Sequence, residues 1–99
     1  MHARAIIVRA PRDKIDSALD SLGRVIGELK TKKGMRDAYM AVDRTAGEIM
    51  TFTVWDSEED LQASLQFARD TFGQVRDMLE GEPTIRMLEV TAHESGVRV

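Results

Sequence analysis

Apolar side chains recur along this chain at two spacings. Between Ile15 and Leu29 they stand at Ile15, Leu19, Leu22, Ile26 and Leu29. These alternating steps of four and three fall on one face of a helix. A second run, Leu61, Leu65, Ala68, Phe72, Val75 and Leu79, repeats the spacing. Asp56-Ser57-Glu58-Glu59 precedes it, supplying an N-cap oxygen and then acids in the first turn, where the helix dipole favours them. Gly73 and the Asp70–Thr71 pair are expected to kink or split this helix, and Gly81 and Pro83 to end it. The first helix should end within Lys30–Gly34, whose lysines suit a negative helix terminus.

Between these helical patterns lie segments with strand character. Ala3–Arg9 is short, apolar and partly β-branched, and Pro11 after it suits a first helical turn. Met35–Asp43 and Glu48–Trp55 flank a loop that carries Gly47 near its end, which predicts a hairpin. Thr84–Ala92 reads as a fourth strand and residues 93–99 as a tail. The order is β-α-β-β-α-β, with no repeat, low-complexity stretch or linker. It predicts one α+β domain over residues 1–99: a ferredoxin-like, four-stranded antiparallel sheet with two helices on one face. The right-handed crossover rule puts the first and third strands side by side in the centre.

Strand alternation sorts the remaining side chains into two sets. Ala38, Met40, Val42, Met50, Phe52, Val54, Leu88 and Val90 are almost wholly apolar and are expected under the helices. Tyr39, Ala41, Ile49, Thr51, Thr53, Trp55, Ile85, Met87, Glu89 and Thr91 form the other set. That set is also too apolar for a sheet face left in water, so a partner chain or a ligand is expected to cover it. This assignment takes odd-numbered residues of the second, third and fourth strands to share a face.

Composition narrows the partners. With 14 Lys+Arg against 17 Asp+Glu the 99-residue chain carries a net charge of −3, which argues against nucleic acid or an anionic membrane surface. The third strand, Glu48–Trp55, has no Arg or Lys, unlike an RNA-recognition sheet. Cysteine is absent, which removes disulfides, thiolate metal sites and a metallochaperone Cys pair. No apolar run reaches the roughly 18 residues of a membrane helix, and the run near the N-terminus, flanked by Arg4 and Arg9, is too short for a signal peptide. A cytoplasmic protein is expected. His2 and His93, the only histidines, lie near the two ends, so no metal, haem or flavin site is expected.

The stretches Gly34–Gly47 (GMRDAYMAVDRTAG) and Thr51–Glu58 (TFTVWDSE) resemble the antibiotic-biosynthesis-monooxygenase-like domains of the dimeric α/β-barrel superfamily. The likeness runs from Ala3 to Ala92 and is sharpest at Trp55-Asp-Ser-Glu58. It implies a homodimer whose two sheets face each other and enclose a cavity. It also implies an activity: some such proteins oxidise polycyclic aromatics to quinones with molecular oxygen and no metal or flavin. Their pattern has the strand-end Trp, matched by Trp55, with an Asn four residues before it and a Tyr six after it, where this chain has Thr51 and Leu61. Haem-degrading relatives carry an Asn in strand one, a Trp where Ser64 stands and a His in helix two, none of which this chain has.

The implied function is a cofactor-independent monooxygenase acting on a small aromatic compound, with a non-catalytic homodimeric ligand-binding or association module as the alternative. Trp55, Tyr39 and Glu89 are the candidate catalytic residues. Trp55 can stack on a planar substrate or anchor the strand–helix junction by packing. Tyr39 can donate a hydrogen bond to a ligand or fill a dimer interface. Glu89 can act as a general base or pair with Arg86 or Arg36. Thr51, Thr53, Met87 and Arg36 are the candidate substrate-binding residues.

Overall fold

A computed structural model describes residues 1–94. Its elements follow the expected order: β1 (His2–Arg9), α1 (Ile15–Leu29), β2 (Met35–Asp43), β3 (Glu48–Trp55), α2 (Glu58–Ala63), α3 (Leu65–Val75) and β4 (Glu80–Glu89). Short 3-10 turns, Arg12–Lys14 and Arg76–Met78, precede α1 and follow α3. The expected tail, residues 93–99, falls largely outside the described residues.

The sheet is antiparallel in the order β2-β3-β1-β4, with β3 and β1 central as the crossover rule requires. Both helical segments cover one face, making a two-layer ferredoxin-like fold. Gly47 closes the β2–β3 hairpin at φ 70°, where a side chain is strained. Its carbonyl accepts from the Ala10 N–H at 2.9 Å, tying the hairpin to the end of β1.

Several boundaries differ from the sequence pattern. The second helical run ends at Val75, with a 3-10 turn to Met78, before Gly81 and Pro83, and β4 ends at Glu89, not Ala92. The second helix breaks at Ser64 and not near Gly73. The Ser64 hydroxyl donates to the Leu61 carbonyl at 2.7 Å and accepts from Arg4 of β1 at 2.9 Å. A side chain drawn inward in this way competes with the helical ladder. Strand β4 begins at Glu80, before Thr84, because a register shift opposite Val8 absorbs Gly81, at φ 68°, and Pro83. An edge strand accommodates such a bulge and a proline.

The face assignment also needs correction. Met40 of β2 pairs with Thr51 of β3, and Tyr39 with Phe52. Ile6 of β1 pairs with Thr51 on one side and Ile85 on the other. Even positions in β1 and β2 therefore share a face with odd positions in β3 and β4. The helix-covered face carries Arg4, Ile6, Val8, Met40, Ile49, Thr51, Thr53 and Trp55, most of them buried. The open face carries Ile7, Tyr39, Ala41, Met50, Phe52 and Leu88. So Met50 and Phe52 are not core residues under the helices, whereas Thr51, Thr53 and Trp55 are. Both faces are apolar, so apolarity alone could not say which one the helices take.

Under the helices the core falls into two clusters. One gathers Ile6, Val8, Ile15, Ala18, Leu22, Ile49 and Val75. The other packs Leu29, Leu61 and Trp55, with Ile26, Met35 and Phe67 against them.

Candidate functional site

A cavity reaches residues of both clusters. Its floor is the sheet, through Arg4 and Ile6 of β1 and Thr51 and Thr53 of β3. Helix α1 supplies Leu22, Val25, Ile26 and Leu29, and α3 supplies Phe67, Ala68, Thr71 and Phe72. The surrounding non-atom space, mouth included, is about 390 Å³, but the centre of a water molecule can move through only about 30 Å³ of it. As it stands the cavity holds a water or two. The walls are mainly hydrocarbon, with three threonine hydroxyls and one guanidinium as the polar groups.

That guanidinium is unusual. Arg4 is 2% exposed. Its Nη1 donates to the Ser64 hydroxyl at 2.9 Å, its Cζ lies 5.9 Å from the centre of the Trp55 ring, and its Nε has no hydrogen-bond partner. The ion pairs among the described residues use Arg9, Lys33, Arg36 and Arg44; none uses Arg4. Burial pulls the Arg4 pKa below its usual value, because desolvation disfavours the charged form. Trp55 is itself fully buried and donates its indole N–H to the Thr53 hydroxyl at 3.0 Å. A short polar chain thus runs from Leu61 through Ser64 to Arg4, whose Cζ lies over the Trp55 ring.

The structure does not bring the candidate catalytic residues together. Trp55 lies beneath the helices, whereas Tyr39 is 59% exposed on the opposite face. Glu89 ends the edge strand on the helix side, paired with His2 and outside the cavity. Met87 is an exposed neighbour of Glu89 on the same strand. Arg36 sits at a register irregularity of β2 and pairs with Asp56, not Glu89, at 2.9 Å on the surface. Among the proposed binding residues only Thr51 and Thr53 line the cavity. The enclosed space lies within the chain, under the helices, and not on the face assigned to a partner. Sequence reasoning missed Arg4, Phe67 and Thr71. For Arg4 the signal was parity: it stands two residues before Ile6, hence on the same face of the strand.

No protein-family model and no curated protein sequence matches the chain. Solved structures do. One from Deinococcus radiodurans, described as a candidate antibiotic biosynthesis monooxygenase, is 11% identical, with 99% of this chain and 100% of that one covered at a TM-score of 0.83. Another so described, from Caulobacter crescentus, is 12% identical over 92% and 90% at 0.79. The chain has the antibiotic-biosynthesis-monooxygenase-like fold. A structure described as a dimeric ferredoxin-like protein, from an uncultured marine organism, is similar too, 12% identical over 97% and 92% at 0.76. Among the described residues no helix is long and apolar enough to cross a membrane, and no group of three or more His, Cys, Asp or Glu is placed to hold a metal ion.

Proposed function

We propose that this chain takes up a small, flat, mainly apolar organic molecule in the cavity between sheet and helices. We further propose that it oxidises the molecule with molecular oxygen, without metal or flavin, as a cytoplasmic homodimer. The observation that carries this reading is the cavity itself, a gap between the two core clusters with aromatic side chains on one wall and hydroxyls on the other. Domain interiors are otherwise close-packed. Phe67 and Phe72 are half-buried on the outer wall, so turning either one outward admits a ring and then covers its face. Thr51 and Thr53 offer hydroxyls to orient it.

In the oxidation of a phenol to a quinone, the ring gains one oxygen atom of dioxygen. The other leaves as water with two hydrogens from the phenol. The substrate is its own reductant, and the protein's part is to orient it and exclude bulk water. One observation favours the second reading, a binding module without catalysis: the lining holds no carboxylate, imidazole or phenol able to take a proton. Equilibrium dialysis with 1-naphthol, alongside oxygen uptake and quinone absorbance, separates the two. Binding with uptake supports the oxidase, binding alone the module. Ala68→Leu, which fills the cavity, should abolish binding. If 1-naphthol binds the variant as well as the wild type, the cavity is not the site.

A further inference from the structure

We propose that the molecule taken up is an acid, and that its oxyanion docks on the guanidinium of Arg4. This rests on the cavity being the binding site, and it adds the chemical class of the ligand. Arg4 lies in the floor, almost fully buried, on an apolar strand between Ala3 and Ala5. A guanidinium presents five N–H donors. One hydrogen bond, to a neutral serine, is what Arg4 makes, and its Nε is buried without a partner. The Trp55 ring at 5.9 Å lies near the outer limit of cation–π attraction. Buried charges are ordinarily paired, since a lone one gives up its hydration without return. Here no carboxylate stands within ion-pair distance among the described residues.

A carboxylate or phenolate oxygen completes this arrangement. The planar fork of the guanidinium accepts a planar oxyanion, and hydrogen bonds between ionised partners are the strong ones. The remaining lining is hydrocarbon and hydroxyl, so the rest of the ligand is apolar and flat. A phenol that gives its proton to bulk water as it binds is held in this way as its anion, the electron-rich form that hands electrons to oxygen, which would spare the cavity a protein base. A carboxylate is held by the same contact with no such activation, and so identifies a binding role.

The test compares charged and neutral probes of matched shape on the whole protein: benzoate with benzamide, and 4-nitrophenolate with 4-nitroaniline, by calorimetry. Each anion should bind at least about tenfold more tightly than its neutral counterpart. Arg4→Met, which keeps length and removes charge, should erase that preference while the neutral probes still bind. Arg4→Lys should keep part of it. The wild-type comparison stands even if a variant fails to fold. Neutral probes binding as tightly as the anions would overturn the oxyanion inference and leave the cavity reading intact. No binding of any probe would sink both. A preference confined to 4-nitrophenolate would favour the phenol, and one shared by benzoate would extend it to carboxylic acids.

Discussion

At the scale of single residues, Ser64 ties three elements together. Its hydroxyl accepts from Arg4 and donates to Leu61, and it ends α2. Ser64→Ala leaves the buried guanidinium with no hydrogen bond, and an unsatisfied buried group costs about 1–3 kcal/mol. Urea unfolding should show a loss of that size, and a loss near zero would mean that water replaces the serine. Gly47 makes a different demand. A Cβ there would sit 2.9 Å from the Ala10 carbonyl oxygen, at a φ of 70°. Gly47→Ala should destabilise by about 1–2 kcal/mol or more, since left-handed strain and a backbone clash add. The position of Gly47 was legible from the hairpin pattern. The importance of Arg4 was not, because a charge beside a short apolar run reads as its flank. Only strand parity turns it inward, and a lone inward charge contradicts the usual rule for cores.

At the scale of elements, the sequence pattern carried the order of the elements and the bounds of β2 and β3, but not the sheet faces, the helix break or the ends of β4. Helix α1 runs along the 4-3-4-3 stripe, and β2 and β3 begin and end where the alternation puts them. The face error came from one turn. Asp43 pairs with Glu48, so the loop between them has an even number of residues, and from Asp37 to Asp43 every odd position in β2 meets an even one in β3. That inversion carries Trp55 and Tyr39 to opposite sides of the sheet. The helix break was equally invisible, because the serine at which it falls is held by Arg4, sixty residues away in the chain. The start of α2, by contrast, was local and readable: the Ser57 hydroxyl accepts from the Asp60 N–H at 3.1 Å, with Glu58, Glu59 and Asp60 in the first turn. Ser57→Ala should lower stability by about 0.5–2 kcal/mol. Chemical denaturation with an unchanged m-value checks that the loss belongs to the native state.

At the scale of the whole molecule, the open face of the sheet remains to be explained. Tyr39 at 59%, Met50 at 39% and Leu88 at 42% exposure lie there, alongside half-buried Ile7 and Phe52. Contiguous apolar surface of this kind is uncommon on a soluble monomer, and a related fold is described as dimeric. The chain should therefore sediment at about twice its 11.1 kDa mass at micromolar concentration. Two copies of this face meeting about a twofold axis would each bury the same central residues, so one substitution strikes the interface twice. Met50→Lys places a charge at that centre without touching the cavity, because Met50 and Thr51 point to opposite faces. The variant should run as a folded monomer and keep its affinity for an aromatic probe. A wild type that sediments as a monomer would end the dimer reading but not the cavity reading. A Met50→Lys variant that stays dimeric would move the contact to another surface, such as the exposed edge at Ile85 and Met87. If the monomer lost probe affinity as well, the cavity would depend on the partner chain, and the closed space under the helices would owe its shape to assembly.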